Sequence, residues 1–139
     1  SDRLLEIAQD ALNGSYFVSH YWEKDPNPAI QKFVADYRAR YNSTPDALAA
    51  LAYDAAGVLV NALETLNKED PAAFKSLTGP RNEKQKAARA RIRDLVNGTK
   101  DYAGVTGRIT LDGMRNAVKS ATFLGIKDRE YEFVAVVEP

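Results

Sequence analysis

His20 is the single histidine of the chain, and Ser19 beside it with Asp25 nearby supplies the residue types of a hydrolytic triad. The segment around Tyr16-Phe17-Val18 reads as a strand, however, and neighbouring strand residues point to opposite faces, so Ser19 and His20 cannot pair as nucleophile and base. Metal chemistry fares no better. One histidine, scattered carboxylates and no cysteine fall short of a ligand set. Gly104-Val105-Thr106-Gly107 lacks the lysine of a phosphate-binding loop and precedes a strand, not a helix. Arg81, Lys84, Lys86, Arg89, Arg91 and Arg93 form a basic helix. They are spread around its circumference among Glu83 and Asp94 and carry no interleaved aromatics, which describes a solvated surface better than a nucleic-acid interface. These residues predict no catalytic group, no metal, no cofactor and no nucleic-acid partner.

Two pairs remain. Tyr53 and Asp54 interrupt an otherwise apolar helix, where a carboxylate needs partners and a tyrosine offers both a ring and a hydroxyl. Asp54 in that setting bonds backbone groups of a neighbouring loop more readily than a ligand. Tyr21 and Trp22 follow the first strand as adjacent aromatics.

The elements that position them follow from periodicity. Ser1 can cap a first helix carrying Leu4, Leu5, Ala8 and Leu12, closed by Gly14. Tyr16-Phe17-Val18 predicts a buried strand. Ile30, Phe33, Val34, Tyr37 and Tyr41 share one face of an amphipathic helix. Thr44-Pro45-Asp46 then starts a helix over 45–66, with Thr44 as its cap and Pro45 as its first residue. That helix is apolar nearly all round and is expected to be the most buried element, so Leu59→Ala should cost roughly 2–5 kcal/mol. A short helical turn is expected at 72–75. Asn82 opens another helix, with Gln85 reaching back to the cap and Ile92, Leu95 and Val96 as its buried face. Segments 108–111, 118–126 and 130–137 read as strands.

The fold class is therefore α/β, with too few strands for its helices. Apolar faces and strand edges left over would need cover from outside the chain. At 139 residues, 45% hydrophobic and 27% charged, with nineteen basic residues against nineteen acidic, the composition is that of an ordinary globular chain with no charge bias toward an anionic partner. No apolar run approaches the length that crosses a bilayer, and no signal peptide is evident. The abrupt helical start suggests a fragment.

Three segments resemble the type I periplasmic solute-binding proteins of the Leu/Ile/Val-binding kind. They are Gly14-Ser15-Tyr16-Phe17-Val18-Ser19-His20-Tyr21 with Asn27-Pro28 and Phe33-Val34-Ala35-Asp36-Tyr37, then Ala52-Tyr53-Asp54-Ala55 in the helix begun at Pro45, then Gly104-Val105-Thr106-Gly107-Arg108-Ile109-Thr110-Leu111-Asp112 with Arg115-Asn116-Ala117-Val118-Lys119. Leu111 stands where that family has phenylalanine, and 68–85 is irregular. The resemblance implies periplasmic-binding-protein-like lobe elements in three layers, incomplete relative to a two-lobe fold, with 1–22 and 113–139 in the second lobe and 23–112 in the first. It implies the C-terminal part of a periplasmic or extracellular receptor for amino acids or similar small polar solutes, working with an ABC transporter permease. Ligand ammonium and carboxylate would be held mainly upstream. Of the residues present, Tyr53 and Asp54 carry over as ligand-binding, with Tyr21 and Trp22 at a crossing between lobes. The alternative is a truncated or engineered half that self-associates without binding ligand. A homodimer is expected for the isolated fragment.

Overall fold

The computed structural model describes residues 2–139, with side-chain burial from Leu5 onward. Ser1, the expected first cap, lies outside the described residues, as does the side chain of Leu4. Two units emerge. The first holds the residues up to Ala52 with Val105–Gly107 and Lys119–Pro139, and the second holds Tyr53–Gly104 with Arg108–Val118.

In the first unit, helix α1 (Asp2–Ala8) runs into a 3-10 turn (Gln9–Leu12), and strand β1 (Tyr16–Ser19) follows. β1 pairs antiparallel with β5 (Ala121–Lys127), which pairs antiparallel with β6 (Glu130–Val137), giving the order β1-β5-β6. Asp128 and Arg129 both take positive φ at the β5–β6 turn, which matches the twist a tight hairpin needs. Arg129 reaches from that turn to Asp10 at 2.8 Å. Tyr16 and Val18 share one face of β1 and are both exposed, contrary to the buried strand expected there.

Helix α2 (Pro28–Tyr41) begins as its sequence dictates. Pro28 takes the first helical position, and the Asn27 side chain accepts from the Ala29 N–H at 2.9 Å. Its face of Ile30, Phe33 and Val34 is buried with Tyr21, Ala50 and Val105, and Tyr37 packs against this core. Tyr41, expected on the same face, is exposed; its ring lies tilted against that of Tyr37, with centroids 4.6 Å apart, and under the Arg40 guanidinium at 5.8 Å.

Helix α3 (Ala47–Glu69) carries residues of both units. Its cap is Asp46, whose carboxylate accepts from the Ala49 N–H at 2.8 Å. Thr44, the expected cap, instead accepts from Arg38. Helix α4 (Pro71–Ser76) is capped by Asp70 and helix α5 (Glu83–Asn97) by Asn82, the latter as expected. Gln85 does not reach back to that cap. It is buried, and its amide donates to the carbonyls of Leu77 and Gly79, tying down the loop before α5. That leaves Gln85 and Ala88 as the buried residues of α5, with Ile92, Leu95 and Val96 half-buried. Strands β2 (Tyr102–Gly104), β3 (Gly107–Leu111) and β4 (Ala117–Val118) form a second three-stranded sheet. The expected strand over 118–126 is thus split between β4 and β5.

The main correction concerns α3. Leu48, Tyr53, Leu59 and Val60 are exposed, while Ala50, Asp54, Ala62 and Leu66 are buried. Only one stripe of this apolar helix is covered. With 23 residues and a most apolar stretch of mean hydropathy 1.3, α3 also has the length and composition of a bilayer span, which the sequence reading had set aside. Asp54, buried in its second turn against Gly104, ties it instead to a sheet within its unit.

Burial separates two leucines of α3 that the sequence treats alike. Leu66 is 2% exposed, and Leu66→Ala should cost about 2–5 kcal/mol in urea unfolding. Leu59 is 45% exposed, and Leu59→Ala should cost no more than about 1 kcal/mol. Equal losses would contradict the burial described. For the cap, Asp46→Ala should cost about 1 kcal/mol, and Thr44→Ala clearly less. The reverse order would restore Thr44 as the cap.

Candidate functional site

Within the first unit, the end of β1 and the start of α3 enclose a groove of about 310 Å³. Phe17 and Tyr131 make an aromatic wall, with rings edge-on at 5.1 Å. Ser19, His20, Glu23, Thr44 and Asp46 supply its polar edge. Such a mixture of apolar wall and few polar groups suits a small polar solute.

Tyr21 lines this groove, but its hydroxyl is already committed: it donates to the Pro45 carbonyl, and the ring meets Phe33 edge-on at 6.2 Å. Burial raises its pKa well above the ordinary tyrosine value, with the charges of Glu23 and Asp46 adding to the effect. Tyr21 therefore stays protonated and acts as a strut between α2 and the entry to α3. Trp22 turns away to β6, where its ring lies 5.5 Å from that of Phe133. Its indole N–H is buried without an acceptor among the described residues. Ser19 donates to the Tyr21 carbonyl at 3.0 Å, and His20 is exposed.

The second pair of candidates lies in the second unit. Tyr53 is 54% exposed, so it is not wedged between helix and sheet there. Asp54, the next residue, is 1% exposed. Its carboxylate lies flat against Gly104 of β2: a Cβ added to that glycine would stand 2.5 Å from Oδ2 and 2.8 Å from Oδ1. One turn on, the Tyr102 hydroxyl occupies the space where a side chain on Gly57 would begin. Tyr102 has a raised pKa, first through burial, then through the negative charge of Asp54 and through Tyr53.

Tyr102 and Gly57 go unmarked in the sequence reading, and Gly104 enters it only within the 104–107 segment, although a signal is present. A lone glycine inside an apolar helix costs stability and usually marks a close approach. Three of the six basic residues singled out along α5 have acidic partners: Arg91 pairs with Glu69 at 2.7 Å, Arg93 with Asp94 at 2.7 Å and Lys86 with Glu83 at 3.7 Å. Among the described residues no group of three or more His, Asp or Glu side chains could hold a metal.

The profile described as periplasmic binding protein matches residues 1–126. The leucine-binding protein LivK of Thermotoga maritima is similar at 31% identity, with a TM-score of 0.73 over 100% of this chain and 35% of that one. The branched-chain amino-acid substrate-binding protein LivJ of Streptococcus pneumoniae, solved in complex with isoleucine, is similar at 29% identity and a TM-score of 0.69, again over 100% of this chain and 35% of that one. A solute-binding protein of R. palustris in complex with benzoate shares the fold at 21% identity and a TM-score of 0.67, over 98% of this chain and 33% of that one. No curated protein sequence gives a significant match. The chain spans about a third of the length of these structures. It belongs to the periplasmic binding protein family.

Proposed function

We propose that these residues serve as the C-terminal third of a periplasmic or extracellular receptor that captures an amino acid, or a similar small polar solute, and delivers it to an ABC transporter permease. What carries the reading is the likeness to a leucine-binding protein along the whole chain at 31% identity, above the 21% shared with the benzoate complex. In this reading the chain performs no catalysis and needs no cofactor. Residues 1–22 and 113–139 contribute to the second lobe and 23–112 to the first. Ligand is held by closure of one lobe on the other. Tyr53, 54% exposed, is the residue that meets the solute, and the segment of Tyr21 and Trp22 forms a crossing. The groups that pair with the ammonium and carboxylate lie in the rest of the receptor.

A chimera tests the function. This chain would replace the corresponding third of the Thermotoga leucine-binding protein, and isothermal titration would follow leucine, isoleucine, valine and benzoate. Saturable heat with a branched-chain amino acid is expected. A chimera that melts cooperatively yet takes up none of the three would contradict an amino-acid receptor.

The isolated chain should bind free leucine no more tightly than about 1 mM, because deleting buried charged partners costs several kcal/mol. Micromolar binding would mean that the charged contacts are made by residues present here. Its exposed apolar residues, Leu48, Leu59 and Val60 on α3 with Tyr16 and Val18 on β1, also favour self-association. Sedimentation equilibrium should therefore give twice the 15.3 kDa chain mass. A monomer throughout the micromolar range would remove the homodimer from this proposal.

A further inference from the structure

Tyr53 and Asp54 are neighbours in sequence with opposite environments, and this difference divides their roles. We infer that Asp54 is a positioning residue and not a ligand contact: its carboxylate, laid flat on Gly104, clamps β2 onto α3, holds Tyr102 over Gly57, and leaves Tyr53 as the member of the pair that meets solute. The assignment of Tyr53 rests on the proposed receptor function, whereas the clamp itself does not.

Three observations carry the clamp. Asp54 is 1% exposed, so its carboxylate has no room to swing aside. A Cβ at Gly104 would stand 2.5 Å from Oδ2, 2.6 Å from Cγ and 2.8 Å from Oδ1, closer than non-bonded atoms approach, so position 104 accepts a side chain only if the carboxylate leaves. The same holds one helical turn along, where the Tyr102 hydroxyl takes the space of a Gly57 side chain. Two glycines, one on the helix and one on the strand, thus permit a close seat, and Asp54 and Tyr102 fill it from opposite sides. A buried carboxylate enclosed in this way is costly unless its partners are fixed, which makes it a poor group to offer to a passing ligand and a good one to hold a strand. The raised pKa of Tyr102, due to burial first and Asp54 second, agrees with the carboxylate charge lying near that ring.

A double-mutant cycle on the full chain tests the clamp. Gly104→Ala should lower the urea midpoint in the parent chain, and the same substitution should leave the midpoint unchanged when Asp54→Ala has already removed the carboxylate. A Gly104→Ala chain that folds only alongside Asp54→Ala supports the clamp equally. Equal losses in both backgrounds, or failure to fold in both, would overturn it. Asp54→Asn keeps the shape and removes the charge, so the Tyr102 ring resonance should titrate at lower pH than in the parent. An unmoved titration would place the carboxylate elsewhere. In the leucine-binding chimera, Tyr53→Ala should weaken leucine at least about tenfold and Asp54→Asn less than about threefold. The opposite order would make Asp54 the ligand contact, and a chimera silent toward leucine would leave the unfolding cycle to decide the clamp while counting against the receptor reading alone.

Discussion

α3 has more apolar surface than its own chain can cover, and the rest of the architecture is arranged around that excess. Six strands are present among the described residues, in two sheets of three, and two of them have only two or three residues. One stripe of the helix, Ala50, Asp54, Ala62 and Leu66, is buried, while Leu48, Leu59 and Val60 remain in contact with solvent. Burial of apolar area is the main favourable term in folding, so an uncovered stripe on a 23-residue helix is stability left unrealised. The solved proteins that this chain resembles are about three times as long. On the proposed reading, the uncovered stripe is where the remainder of a receptor packs.

The buried stripe works differently at its two ends. Near its start α3 joins an aromatic and aliphatic core, with Ala50 among Tyr21, Ile30, Phe33 and Val34, and the buried Tyr21 hydroxyl holds the Pro45 carbonyl just before the helix begins. Further along, the helix approaches β2 through Gly57 and Gly104, and a carboxylate replaces the aliphatic contact. The first end is tolerant, because hydrophobic packing adapts to small changes of shape. The second is intolerant, because a glycine facing a buried carboxylate leaves no volume to exchange.

Much of this architecture was legible before any coordinates. Asn82 opens α5, the face of Ile30, Phe33 and Val34 gives α2, and the pattern of 130–137 gives β6, because capping chemistry and hydrophobic period act locally. What was not legible depends on partners distant in sequence. Thr44 reads as the cap, but Arg38 donates to its hydroxyl, and Asp46, read only as an acidic residue of the first turn, caps α3 instead. Gln85 fits a capping box until the carbonyls of Leu77 and Gly79 claim its amide. β2 has three residues and too little period to register. The exposure of Leu59 could not be read from the helix at all, since an apolar residue looks the same whether its cover lies in this chain or another. For the candidate site, the sequence picked out Tyr53 and Asp54 together and leaned toward a structural role for Asp54, a division that burial sharpens, with Asp54 at 1% exposure and Tyr53 at 54%.

Hydrogen exchange along α3 tests the central claim most directly. Amides of residues 47–69 would be compared between the isolated chain at low concentration and the same residues within the leucine-binding chimera. The account predicts that exchange slows in the chimera, most strongly around Leu48, Leu59 and Val60, where apolar surface gains cover. Unchanged protection along the helix in a folded, ligand-binding chimera would show that the exposed stripe is ordinary surface, and that this helix is not where the rest of a receptor docks.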